Sequence, residues 1–190
     1  MKREVPLSSA NRLLNNGPVV LVTAMHRGQP NVMTVAWVTP LSFDPPLVGV
    51  AISPRAFTHQ MIKQSEFFVL NVPGRSLAEQ VEKCGRVSGQ EVDKFAVVGL
   101  TPTDAVEVEA PWIEECLAHL ECGVVNAITL GDHTLFVGRV ITAWAEEEAF
   151  EETWLLEEEE LKPLHHLGAS FYGVLEERID LAAPEEEEEE

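Results

Sequence analysis

The run Ser53-Pro54-Arg55-Ala56-Phe57-Thr58-His59-Gln60-Met61-Ile62-Lys63 places Arg55, His59 and Lys63 at four-residue spacing, and no Asp or Glu occurs between Pro45 and Ser65. Ser53 suits a helix N-cap and Pro54 its first turn, so the three basic residues are expected to share one helical face. Acidic residues outnumber Lys and Arg by 32 to 13 in this chain, yet the first turn holds Arg55 and no acid, against the sense of the helix dipole. An anion bound at that terminus removes the conflict. An ordinary capped surface helix accounts for the same residues.

A second run, Asn31-Val32-Met33-Thr34-Val35-Ala36-Trp37-Val38, reads as a strand with Asn31, Met33, Val35 and Trp37 on one face. An amide, a thioether and an indole side by side fit a planar heteroaromatic ligand; a barrel strand with its Trp in the core fits equally. From Gly85 to about Leu100 the chain reads as a loop in which Gly85 and Gly89 allow close backbone approach and Lys94 offers a point charge. It has no P-loop pattern, so a plain solvated loop is the alternative. Cys84 reads as a small buried residue. The six histidines lack metal-site spacing, and no Gly-x-Ser-x-Gly elbow is present. No metal site and no acid–base dyad are expected.

The elements that would hold these residues are mostly strands. Val19 to Met25, Asn31 to Thr39, Leu47 to Ser53, Glu66 to Val72, Ala118 to Leu130 and Thr134 to Ala145 carry strand signals, the last two joined by Gly131-Asp132-His133. Helices are expected over Ser8 to Pro18, Arg55 to Ser65 and Leu77 to Cys84. Strands and helices do not alternate regularly, which excludes a doubly wound sheet and favours an antiparallel barrel or sandwich with helices outside. The 190 residues suit one domain over 1–180, followed by an acidic disordered tail over 181–190. The net charge of −19, still −9 without the two Glu runs at 157–160 and 185–190, argues against nucleic acid and anionic membrane as partners. Three cysteines without Cys-x-x-Cys spacing, and an N-terminus without a signal peptide, point to a soluble cytoplasmic protein.

In order and spacing these segments resemble the flavin reductase-like, FMN-binding split-barrel family, in its flavoredoxin branch, over residues 8 to 175. The resemblance rests on Asn31-x-Met33-Thr34-x-Ala36-Trp37, Asp44-Pro45-Pro46-Leu47-Val48, Ser53-x-Arg55-x-x-Thr58, Cys84-Gly85-x-x-Ser88-Gly89 with Asp93-Lys94-Phe95, Gly131-Asp132-His133-x-Leu135-Phe136-x-Gly138 and Pro163-Leu164-His165-His166-Leu167-Gly168. It implies a mainly β fold with peripheral helices, a six-stranded antiparallel Greek-key barrel that binds FMN near a homodimer interface. Thr34, Ser53, Arg55 and Thr58 would then surround the phosphate and ribityl chain, with Trp37 beside them. Asn31, Met33 and Lys94 would approach the isoalloxazine, and His133 with Phe171 or Tyr172 would complete the pocket or reach the partner's site.

The activity so implied is hydride transfer from NADH or NADPH to FMN, with the electrons passed to a protein or to oxygen. The flavin carries the chemistry, so a missing catalytic pair is expected. The alternative is a flavoredoxin-like electron carrier or flavin-binding module without its own NAD(P)H reductase activity, since no Gly-x-Gly-x-x-Gly fingerprint is present. A haem-holding split barrel, with His133 or His166 as axial ligand, is the remoter third reading. An acidic surface favours a basic redox partner.

Overall fold

The computed structural model describes residues 2, 4–179 and 181. The tail expected over 181–190 therefore lies outside the described residues, apart from Leu181. Strand β1 (Val20–His26) pairs with β2 (Gln29–Val35) across a two-residue turn in which Arg27 and Gly28 both have positive φ. That conformation matches the twist of adjoining strands and needs a residue tolerant of the left-handed region, which Gly28 supplies. Next come β3 (Val38–Ser42), β4 (Leu47–Ile52), α1 (Phe57–Ser65) and β5 (Phe67–Val72). They are followed by α2 (Ala78–Arg86), α3 (Lys94–Val98), β6 (Pro102–Thr103), β7 (Trp112–Ile113), β8 (Ala118–Leu130), β9 (His133–Ala145), β10 (His165–Gly168) and β11 (Phe171–Gly173).

Seven strands form one antiparallel sheet in the order β2-β1-β5-β8-β9-β4-β3. The strand count differs from the six expected because the run from Asn31 to Thr39 breaks at Ala36 and Trp37. β2 and β3 are consecutive in the chain but lie at opposite ends of the sheet order, so the break is where the curled sheet meets itself. Ala51 N donates to Trp37 O (2.9 Å), carrying the β3–β4 ladder up to that seam. The connection from β4 through α1 to β5 carries the chain across the sheet, the non-local step of a Greek key.

Two further expectations change. The N-terminal helix is a 3₁₀ turn over Leu7–Leu13 with no buried residue and no side-chain cap, too short and too exposed to gain α-helical packing. The stretch expected to be loop after Cys84 contains α3, whose N-terminus Asp93 caps by accepting from Ala96 N (3.3 Å) and whose end is Gly99 at φ 73°.

β1 is apolar apart from Thr23 and the terminal His26, because both of its faces are covered. Val20, Val22 and Ala24 point into the barrel with Val50, Ile52, Phe68, Phe136 and Met61 and Ile62 of α1; Leu21, with Val19 just before the strand and Val32 of β2, meets Val81, Cys84 and Phe95 of α2 and α3. Glu121 of β8 is fully buried, and its carboxylate accepts from Val106 N, Glu107 N, Val108 N and Trp112 Nε1 at 2.7–3.1 Å. Four donors compensate the charge and tie residues 106–112 to the barrel. Beside it, the Asn71 amide oxygen accepts from Ile113 N and pairs with His119 Nδ1, while its nitrogen donates to Leu21 O.

Candidate functional site

Helix α1 begins at Phe57, four residues after Ser53, and Ala56 at its N-cap makes no side-chain cap bond. The expected Ser53 cap is absent because residues 53–56 form a separate turn, closed by Ala56 N to Ser53 O (2.9 Å), in which Ser53 Oγ accepts from Arg55 N (3.4 Å). His59 N is already bonded to Ala56 O. The first-turn N–H groups of Phe57 and Thr58 have no intrahelical acceptor and front a cleft. Starting the helix late also dissolves the expected basic face. His59 is buried and pairs through Nε2 with Thr134 Oγ1 of β9 (2.9 Å), and burial, assisted by Lys63, lowers its pKa below the ordinary imidazole value. It is a neutral strut between α1 and β9.

The cleft at the head of α1 has a volume of about 310 Å³ and gathers Asn31, Met33 and Thr34 from β2, Arg55 and Thr58 from the α1 entry, and Gly85, Arg86, Ser88, Gly89 and Lys94 from the α2–α3 region. Three basic side chains and no carboxylate line it, in a chain of net charge −19. Arg55 makes no ion pair among the described residues. Lys94 is only 6% exposed and donates to Cys84 O (2.9 Å), and burial lowers its pKa. Arg86, which the sequence did not single out, is pinned by Glu82 Oε1 (2.7 Å from Nε) and Ser170 Oγ (3.1 Å). Glu82 also accepts from Tyr172 Oη (2.8 Å), and that bond, followed by Arg86, holds its carboxyl below the usual carboxylate range.

Two contacts shape the cleft. Asn31 Nδ2 donates to Thr58 Oγ1 (2.7 Å), and the other side of the Asn31 amide lies against Gly89, where any Cβ would collide with Oδ1. Thr34 Oγ1 donates to Val81 O (2.6 Å), and a Cβ at Gly85 would touch Thr34 at 3.6 Å.

Met33 and Thr34 also line a second cleft of about 400 Å³, which opens along the barrel seam between β2 and β4. Here stand Trp37, Ser53 and His133, joined by Arg12, Asn15 and His166 from the two ends of the chain. Trp37 is 40% exposed and its ring lies 4.6 Å from that of His133. His133 Nδ1 pairs with Asp132 Oδ1 (2.7 Å), and this bond, with lesser contributions that include the Arg55 charge, lowers the Asp132 pKa.

Of the ten site residues expected from sequence, Asn31, Met33, Thr34, Arg55, Thr58 and Lys94 converge on the first cleft, and Met33, Thr34, Trp37, Ser53 and His133 on the second. Asn31 and Lys94 thus stand with Arg55 and Thr58 and not with Trp37 and His133. Phe171 is 71% exposed and lines neither cleft. Among the described residues no group of three or more His, Cys, Asp or Glu is placed to hold a metal ion, and no helix is long and apolar enough to cross a membrane.

The fold is thus an antiparallel split barrel in which a basic, uncapped helix head lies beside a seam carrying Trp37 and His133. The chain belongs to the flavin reductase like family, whose domain matches residues 13–172. It is 47% identical to an uncharacterized protein of Archaeoglobus fulgidus over 113 residues, 60% of this chain and 64% of that one, so the match spans less than two thirds of that relative. It is 33% identical to an NADH-dependent FAD reductase of Streptomyces globisporus over 129 residues, covering 65% of this chain and 68% of that one. Among solved structures it is similar to an FMN-binding protein of Thermus thermophilus (TM-score 0.82, 30% identity, 95% and 98% of the two chains). The flavoredoxin of Desulfovibrio vulgaris is also similar (TM-score 0.84, 25% identity, 97% and 99% of the two chains).

Proposed function

We propose that this protein is an FMN-dependent NAD(P)H oxidoreductase, with the FMN phosphate at the head of α1 and its ring system toward the seam. The observation that carries the reading is the first cleft itself, which gathers Arg55, Arg86 and Lys94 without a carboxylate in a strongly acidic chain. The residues fit the group. Unpartnered first-turn N–H groups of Phe57 and Thr58, the Arg55 guanidinium and the Thr58 and Ser88 hydroxyls suit a phosphate. Met33 and Thr34 span the junction, and Trp37, His133 and Ser53 offer flat apolar surface and polar edges to a ring.

FMN held there would supply the redox chemistry, a two-electron exchange between NAD(P)H, which would leave as NAD(P)⁺, and an acceptor. The chain's own work is to orient and to charge. Arg55 and Lys94 add positive potential around the phosphate, and the Asn31–Thr58–Gly89 contacts fix the cleft wall. The NADH-dependent relative supports the reductase reading, while the flavoredoxin supports the same site serving as an electron carrier. A homodimer belongs to the proposal, with exposed Val125, Ile128 and Leu130 on the β8–β9 arm as supporting surface. A basic redox protein is the acceptor most consistent with the charge. Anaerobic mixing of the FMN-loaded protein with NADH or NADPH tests it: rapid bleaching of the flavin bands is expected, whereas bound flavin that neither donor reduces leaves the carrier.

A further inference from the structure

Arg86 ends α2 and lines the first cleft, yet 67% of its side chain is exposed. A guanidinium that free would have to be ordered by the ligand itself, at a cost in rotamer entropy. The structure holds it in place beforehand. Glu82 Oε1 accepts from Nε (2.7 Å) and also from Nη2, and Nη2 donates to Ser170 Oγ (3.1 Å). The other carboxylate oxygen, Glu82 Oε2, accepts from Tyr172 Oη (2.8 Å). Resting on the phosphate placement proposed above, we infer that Tyr172 and Glu82 are positioning residues that together hold Arg86 at the first cleft as a ready-made ligand for the flavin phosphate.

An ordinary ion pair on a helix surface looks different. Glu79 and Lys83 of the same helix form one (3.3 Å), with both side chains exposed and no third partner among the described residues. At Glu82 the bond from Tyr172, ahead of those from Arg86, holds the carboxyl below its usual range, so the acceptor stays charged. Because Tyr172 occupies Oε2, the carboxylate does not close both oxygens on the guanidinium, and Nη1 is left without a partner among the described residues. Tyr172 is itself fixed from two sides. Its ring packs against the cluster that includes Val81 and Cys84 of α2, and it meets the His166 ring edge-on at 5.3 Å. The β10–β11 hairpin that carries Ser170 and Tyr172 is tied to the chain ahead of β1, where Asn15 Nδ2 donates to His166 Nδ1 (3.0 Å) and His166 N to Gly17 O (3.1 Å). The hairpin thus reaches the cleft through Glu82 and Arg86, without lining it at Tyr172.

Fluorescence titrations of the full chain with FMN and with riboflavin, which has the ring and ribityl chain but no phosphate, test the assignment. Tyr172→Phe keeps the packed ring and loses only the hydroxyl. It is expected to weaken FMN about 3- to 10-fold, the effect of one hydrogen bond, and to leave riboflavin unchanged. Glu82→Gln should weaken FMN in the same way; tighter FMN binding would make Glu82 a competitor for Arg86 and overturn the assignment. In an Arg86→Ala background, itself weakened for FMN by about 10-fold, Tyr172→Phe should add nothing, because the hydroxyl acts only through Arg86. A tyrosine with a merely structural role would weaken both flavins, and would do so with or without Arg86. Either result overturns the assignment, as does a Tyr172→Phe variant that binds FMN like the wild type. A wild type that binds riboflavin as tightly as FMN overturns the phosphate placement itself, and this inference with it.

Discussion

Arg55 sits in a turn ahead of an uncapped helix with no carboxylate partner among the described residues, so its loss should fall on the ligand and not on the fold. Arg55→Ala is expected to raise the FMN dissociation constant about 10- to 100-fold, with Arg55→Lys intermediate, in a fluorescence titration; unchanged affinity would remove the phosphate from this site. His119 makes a different prediction, one about stability. An unfolded chain protonates this imidazole below about pH 6.5, while burial lowers its pKa in the fold to about 4. Between those values the unfolded chain binds the extra proton, so stability should fall as pH drops, by about 1.4 kcal/mol per pH unit, and level off below the folded value. The lowered pKa of His59 acts in the same direction. Denaturant titrations from pH 7 to 4 should show a shallower acid limb in His119→Gln than in the wild type; equal slopes would rule His119 out as the source.

At the scale of elements, the loop from Val87 to Asp93 closes on the first cleft because Gly89 has no side chain where it meets Asn31. Gly89→Ala should push this loop off Asn31 and weaken FMN binding severalfold while the melting temperature of the FMN-free protein stays near that of the wild type. A large loss of stability with unchanged affinity would make the contact structural only. The glycine was legible in the sequence as a point of close approach; its partner Asn31, 58 positions away, was not. Arg55 was legible because a helix entry without acids is conspicuous in an acidic chain. Its supposed neighbour His59 was misread because four-residue spacing places two residues on one helical face only if both lie in the helix, and α1 starts at Phe57. The β2–β3 break was hidden for a similar reason. Alternation continues through Ala36 and Trp37, and only the sheet order reveals that the barrel seam falls there. Arg12 and His166 reach the seam through tertiary contacts between the two ends of the chain, which no local pattern encodes.

Across the whole molecule, charge is sorted. A chain of net charge −19 keeps carboxylates out of the lining of both clefts that meet at Met33 and Thr34, and places two of them, Glu91 and Asp93, in a cavity of about 370 Å³ that adjoins the first cleft at Asn31, Phe57 and Gly89. Such sorting favours a phosphate-bearing ligand inside an otherwise repulsive field. The fold supplies the rest, since a sheet curled until β2 nearly meets β3 leaves an opening beside the head of α1, which lacks both cap and acid. The most direct test of this account is the visible spectrum of the purified protein, alone and after addition of FMN. The account predicts flavin bands, already present or gained in equimolar amount, that bleach under anaerobic NADH or NADPH. A protein that stays colourless and takes up no FMN would contradict it.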